Sequence, residues 1–288
     1  MVAWGASYVP SAWLVEGWPP LTAAGARIAL AGVGLLGVLA LLGRPLRPGV
    51  GPAAVGWLAL TQTVLFYGAT FWGIAHAGAG LAAVLANTDP LFIAVLAALL
   101  LGERLAPVQW AGLAVGLAGA TLVVWDGPLW PPAVSVDALV VVGGALAWSV
   151  GTVVATRGVR GRGEPLALAA WQMTAGGAAL LAGGLALEDG PLPVGARELA
   201  LVIGLAALGS AAPLALFYMA LARGPAAEVS AWFFLVPVVG VVSAWPLLGE
   251  TPSGRLVAGM VAVAAGLWLM MGARVRAEGR LVDSAMPS

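Results

Sequence analysis

Few residues in this chain can do chemistry, and where they sit narrows what that chemistry is. There is no Cys and a single His, His76, so thiol redox reactions, thiolate metal sites and a multi-His metal centre are excluded, and neither a metal nor a cofactor is expected. All 13 cations are Arg and they balance 13 acidic residues, which argues against a nucleic-acid partner. The sharpest single group is Asp89, in the run Asn87-Thr88-Asp89-Pro90 inside a long apolar stretch. Asn, Thr or Asp ahead of Pro is how helices begin, so a kink or break is expected here, leaving polar backbone in apolar surroundings. Asp89 either holds that kink or faces a cavity, where it binds a cationic group or carries a coupling proton. Arg27 is the one cation inside an apolar stretch. It either binds a carboxylate or snorkels to an interface and pairs with Glu16.

The elements that must position these groups follow from composition. The chain is 61% hydrophobic before its 41 Gly are counted, against about 45–50% with glycine for soluble domains. A bilayer core near 30 Å needs roughly 20 apolar residues as helix, because backbone polar groups must be satisfied within the segment. Ten such segments run over 1–16, 21–43, 53–75, 78–101, 106–125, 133–156, 165–187, 197–221, 226–248 and 252–272. The first is short, without the positive n-region and small-residue cleavage site of a signal peptide, and reads as a helix missing its first turns through a start placed late. Little remains outside the bilayer, so the function must lie in the bundle.

With the connections alternating sides, a cytoplasmic N-terminus puts Arg44, Arg47, Arg104, Arg157, Arg160, Arg162, Arg223, Arg274, Arg276 and Arg280 inside. Only Arg197 and Arg255 fall outside, a strong positive-inside asymmetry that places both termini in the cytoplasm. An offset of 147 aligns 77–124 with 224–271 without a gap, and 13 of the 48 facing pairs are identical. Pro90 meets Pro237, Leu101-Gly102-Glu103 meets Leu248-Gly249-Glu250, and Ala111-Gly112 meets Ala258-Gly259. At slightly shorter offsets Trp4 meets Trp148 and Pro20-Leu21 meets Pro165-Leu166. The expected fold is therefore an all-α polytopic membrane protein of ten transmembrane helices in a 5+5 inverted-topology repeat. The first repeat covers 1–126, the second 133–272, and a cytoplasmic tail 273–288. Inverted repeats of this kind recur in secondary transporters, with the substrate site at the repeat interface; duplication kept for packing alone is the alternative.

Other groups sort by depth. Gln62 and Gln172, mid-span with two polar ends to satisfy, are pore-lining candidates; Thr61, Thr63, Tyr67, Thr70 and Thr174 fit interhelical hydrogen bonding. Trp18, Trp57, Trp125 and Trp130 read as interfacial anchors. Trp4, Tyr8, Phe71, Trp148, Tyr218 and Trp232 lie deeper and offer ring faces to an aromatic or cationic ligand. Glu228 fits a first-turn dipole partner and His76 an interfacial side chain. Gly112 with Gly116, Gly143 with Ala147 and Gly151, and Gly259 with Gly266 permit close helix contact.

Ten spans in two inverted fives, each half closing with a Pro-bearing helix, a Leu-Gly-Glu turn and a Gly-rich last helix, resemble the EamA type of the drug/metabolite transporter superfamily. The opening Trp4-Gly5-Ala6-Ser7-Tyr8 and Pro19-Pro20 with Arg27 are similar to that family's first two helices. Arg255-Leu256 in place of Val108-Gln109 and the short first helix depart from the pattern. The resemblance implies a central cavity opening alternately to either face of a bacterial inner membrane. It also implies a small-molecule substrate such as an amino acid, another metabolite or a drug, and drive by a proton or solute gradient. The cavity candidates are then Trp4, Ser7, Tyr8, Arg27, Gln62, Phe71, Asn87, Asp89, Trp148, Gln172, Tyr218 and Trp232, with Asp89 as the proton-coupling candidate. The chain is expected to export its substrate and not to be an enzyme. The alternatives are an intramembrane enzyme, for which no nucleophile and base stand together in sequence, and a receptor or assembly subunit. A homodimer through the glycine faces of the fifth and tenth helices is an alternative to a monomer.

Overall fold

A computed structural model describes residues 1–101, 106–124, 135–161, 164–224, 226–249, 251–266 and 268–269. Among these residues the chain is helical throughout, with no strand. Ten helical rods are formed: α1 over 2–15, α2 Pro20–Leu41, α3 Pro52–Ala77, α4 over 79–101, α5 Pro107–Val124, α6 Val136–Gly161, α7 Pro165–Leu187, α8 Ala196–Leu221, α9 over 226–248 and α10 Gly254–Gly266. They match the ten apolar segments to within about five residues at each end. Six of them (α2, α3, the first 18 residues of α4, α6, α7 and α8) are long and apolar enough to cross a membrane. Their outer faces carry large apolar side chains such as Val33, Leu99, Leu208 and Leu216, each more than half exposed. Water would penalise such a surface; hydrocarbon does not. Glu103, Glu250, Trp125, Trp130 and the tail from 273 lie outside the described residues.

Several rods are interrupted, and in α1, α4, α8 and α9 a proline follows the interruption. Proline lacks the N–H that would bond the carbonyl four residues back. In α1, Pro10 leaves the Ala6 carbonyl without its helical donor, and the rod divides at Ser7 into Val2–Ala6 and Tyr8–Val15. In α4, Pro90 does the same to Ala86, and the rod divides at Asn87-Thr88 into Ala79–Ala86 and Asp89–Leu101. The break expected at this place is therefore present, but its side chains act backwards. Asn87 Nδ2 donates to Ala83 O at 2.7 Å and Thr88 Oγ1 to Leu85 O at 2.8 Å, so they close the end of the first segment. In α9, Pro237 follows a 3₁₀ turn over Trp232–Phe234. In α8, Pro213 follows a π-helical stretch, Ala207–Ala211, and α3 carries a second π-helical stretch over Ala59–Leu65.

Glycine decides which rods touch. At Gly25, Gly32 and Gly177 an added Cβ would collide with the backbones of Leu181, Thr174 and Ala29 respectively, and at Gly184 it would lie 2.6 Å from Thr22 N. Thus α2 and α7 cross backbone to backbone, in the most extensive helix contact of the bundle. A Cβ at Gly266 would strike Gly112 O and Gly116 N, and one at Gly119 would lie 2.7 Å from Gly259 O, so α5 and α10 pack on each other in the same way. Those glycines pack within one chain. Gly144 and Gly151 press α6 onto α3, whereas Gly143 faces open space.

Polar ties mark the two ends. At one end Arg197 meets Glu16 at 3.6 Å, Trp18 Nε1 donates to Pro193 O at 2.9 Å, and Leu21 N and Thr22 N each donate to the Glu188 carboxylate at 2.8 Å. At the other, Arg44 meets Glu164 at 3.6 Å and Trp171 Nε1 donates to Leu46 O at 2.7 Å. Glu16 is thus taken by Arg197, and Arg27 does not pair with it. His76 is exposed, stacked on Trp72 at 4.0 Å. Gly25→Ala is expected to lower the stability of the detergent-purified protein by at least the 1–3 kcal/mol typical of overpacking, while Gly34→Ala on the same rod, which meets nothing within 4 Å, leaves it unchanged in a thermal unfolding assay.

Candidate substrate chamber

One chamber lies between α1, α2, α3, α4, α6 and α9, on the Glu16–Arg197 side of the bundle centre. Its walls are Trp4, Ser7, Tyr8, Ser11, Arg27, Phe66, Tyr67, Thr70, Phe71, Ile74, Asn87, Asp89, Trp148, Phe233 and Val236. Its own side chains nearly fill it, leaving a cavity of about 30 Å³. That is room for one or two waters.

Arg27 is fixed by elements far apart in sequence. Its Nε donates to Ser210 Oγ at 2.7 Å, Nη1 to Ser11 Oγ at 2.9 Å, and Nη2 to Ser7 Oγ at 3.3 Å and to Gly209 O at 2.6 Å. The Gly209 carbonyl is available because Pro213, four residues on, has no N–H to give it. The guanidinium carbon also sits 5.8 Å from the Tyr67 ring centre and 5.6 Å from that of Phe71, over their electron-rich faces. Every one of these partners is electrically neutral. Arg27 is 2% exposed and snorkels nowhere.

Asp89, also 2% exposed, opens the second segment of α4. Its backbone carbonyl accepts from Ser149 Oγ at 3.1 Å, tying α4 to α6, while its Oδ2 finds no hydrogen-bond partner among the described residues. Two further wall atoms are in the same position, Tyr67 Oη and Trp148 Nε1. No ion pair joins Arg27 and Asp89 among the described residues. The chamber wall therefore carries one basic and one acidic side chain, with no ion pair between them among the described residues. The rest of the wall is largely aromatic: Trp4 stacks on Phe233 at 5.1 Å, and Trp148 packs against Phe66 at 4.7 Å and edge-on to Trp4 at 5.9 Å.

Of the twelve candidates named from sequence, Trp4, Ser7, Tyr8, Arg27, Phe71, Asn87, Asp89 and Trp148 meet at this chamber. Gln62, Gln172 and Tyr218 are fully buried elsewhere: the Tyr218 hydroxyl donates to Gln62 Oε1 and Gln62 Nε2 to Thr152 Oγ1 at 3.0 Å, while Gln172 Oε1 accepts from Thr63 Oγ1 at 3.4 Å. Trp232 is 65% exposed and faces outward, because the 3₁₀ turn it opens rotates its neighbour Phe233 into the chamber instead. Sequence reasoning also passed over Ser11, Phe66, Ile74 and Val236, and treated Tyr67 and Thr70 as packing groups. A usable signal existed for most of these. Ser7 and Ser11 lie four apart on α1, and Tyr67, Thr70, Phe71 and Ile74 follow the i, i+3, i+4, i+7 spacing of one helix face.

Comparison with known proteins agrees with this architecture. A solved crystal structure superposes with a TM-score of 0.69 at 22% identity, over 96% of this chain and 97% of the other, and shares its fold. An uncharacterized inner membrane transporter, YedA of Escherichia coli K12, is 31% identical over 93% of this chain and 89% of its own length. A probable terminal-alkyne amino-acid exporter of Streptantibioticus cattleyicolor is 33% identical over 75% of this chain and 71% of its own length. The model of the EamA-like transporter family matches residues 1–125 and again 137–272. The chain is a polytopic membrane protein that belongs to the EamA-like transporter family.

Proposed function

We propose that this protein is a secondary active transporter of the bacterial inner membrane that exports zwitterionic metabolites, amino acids with apolar or aromatic side chains above all. The carrying observation is the pair Arg27 and Asp89: two buried, opposite charges on the wall of one aromatic chamber, neither neutralised by the other. Burying an unpaired charge is costly, and a ligand bearing a carboxylate and an ammonium group offsets both costs at once. The carboxylate approaches the guanidinium, replacing one of the serine hydroxyls as its acceptor. The ammonium group approaches Asp89 Oδ2 and the ring faces of Trp4 and Trp148 receive the side chain.

In this reading residues 1–126 and 133–272 are two five-helix repeats inserted in opposite senses, with both termini and the 273–288 tail in the cytoplasm. Transport proceeds by alternating access, one repeat rocking against the other around the chamber. The two matches of one family model on a single chain and the Arg asymmetry of the connections support the arrangement. Asp89 is the group through which a proton gradient drives the cycle, since it is a carboxyl on the chamber wall with a free oxygen.

Reconstituted into liposomes, the protein is expected to show saturable counterflow of L-phenylalanine and L-leucine, with little for a cationic or flat uncharged aromatic solute; counterflow that ignores the carboxylate would refute the zwitterion reading. Arg27→Gln should reduce L-phenylalanine counterflow at least tenfold at equal protein abundance, since one charge-assisted contact to a carboxylate contributes about 1.5–3 kcal/mol. Asp89→Asn keeps the size of the side chain but removes its charge and its titration, so exchange at equal pH should weaken through loss of the ammonium contact and lose its dependence on pH, while uphill transport under an imposed pH gradient vanishes. Unchanged pH dependence in that variant would remove Asp89 from the coupling step.

A further inference from the structure

The buried hydrogen-bonded groups Gln62, Thr152 and Tyr218, and the separate pair Thr63 and Gln172, are related to the chamber through the internal repeat. Offsets of 144 to 147 residues carry Arg27 onto Gln172, Tyr8 onto Thr152, Phe71 onto Tyr218, and Ser210 back onto Thr63. The contacts correspond as well as the positions. On one side Arg27 of α2 bonds Ser210, in the π-helical stretch of α8; on the other Thr63 Oγ1, in the π-helical stretch of α3, donates to Gln172 Oε1 of α7 at 3.4 Å. Ser7 of α1 presses on Gly209, whose added Cβ would lie 3.0 Å from Ser7 Cβ. In the opposite half it is Gly151 of α6 whose added Cβ would lie 2.5 Å from Gln62 Cγ. The same crossing thus occurs twice, with the bulky side chain supplied by the other rod.

The second copy is closed. Gln62, Thr152, Gln172 and Tyr218 are all 0% exposed. Yet Gln172 Nε2, at the position equivalent to the Arg27 guanidinium, is a buried donor with no hydrogen-bond partner among the described residues. Leaving such a donor unsatisfied costs about 1–3 kcal/mol, which a purely structural network has no reason to carry. We infer that this cluster is a second subsite for the same zwitterionic solute, opened when the bundle parts at the Arg44–Glu164 end, with the Gln172 amide receiving the carboxylate that Arg27 holds at the opposite face. The inference rests on the alternating-access reading given above. A neutral amide donor grips a carboxylate less strongly than a guanidinium does, so the two faces of the carrier differ in affinity.

The absence of Cys makes a direct test possible, because an introduced thiol is the only one in the chain. Ser11→Cys and Thr152→Cys, each checked for monodispersity, are treated with a membrane-impermeant maleimide from either face of oriented vesicles, with and without saturating L-phenylalanine. Gln172→Cys serves if Thr152→Cys does not fold. The Ser11 position should be modified from the Glu16–Arg197 face and the Thr152 position from the Arg44–Glu164 face, each slowed at least fivefold by L-phenylalanine. A Ser11 thiol that is modified and protected beside a Thr152 thiol that is inert from both faces, or modified without protection, overturns the second subsite and leaves the carrier reading intact. Two inert thiols, or two unprotected ones, overturn the carrier reading itself and the subsite with it.

Discussion

The arrangement at the centre of this bundle depends on a guanidinium held out of water by neutral oxygens. Arg27 donates to three serine hydroxyls and one backbone carbonyl, drawn from α1 and α8, and lies over two aromatic faces of α3. A cation in such a place must satisfy its donors, and that requirement brings α1, α2, α3 and α8 together at one point. Because none of the partners is anionic, the charge is solvated but not cancelled. The site remains electropositive toward anything that enters the chamber.

Proline is what makes the oxygens available. In an uninterrupted helix each interior carbonyl already accepts one backbone N–H, whereas a carbonyl four residues before a proline has that donor missing. Pro10, Pro90, Pro213 and Pro237 each release one carbonyl, and all four lie on rods that meet around the chamber or hold Arg27. Gly209 shows the consequence most plainly, because its released carbonyl accepts the shortest of the Arg27 bonds. On α4 the Asn87 and Thr88 side chains bond the Ala83 and Leu85 carbonyls at the end of the first segment, and the second segment starts afresh with Asp89 on the chamber wall.

Much of this was legible in the sequence, and the rest was hidden for identifiable reasons. The ten rods follow from apolar length alone, and the break at Asn87-Thr88 from the proline behind it. Arg27 was visible as a buried cation, but its partners were not: Ser210 is 183 residues away, and a carbonyl freed by Pro213 has no side-chain signature. Glu16 looked like the natural partner because it is near in sequence, whereas the turn that carries it projects toward Arg197. Trp232 and Phe233 exchange places because a single 3₁₀ turn shifts the helical phase, which residue spacing cannot register. The glycine pairs that stand out in sequence lie on α5, α6 and α10, while the crossing of α2 and α7 uses Gly25 with Gly32 and Gly177 with Gly184, spread among the many other glycines of those rods.

That crossing sets the kind of motion open to the molecule. Where side chains separate two helices, they can slide by exchanging rotamers, one row past the next. Between α2 and α7 the peptide planes themselves touch, and there is nothing compliant to yield. A slide of one rod along the other is opposed by main-chain atoms, so the pair forms a stiff seam between the two stretches of chain that the family model matches.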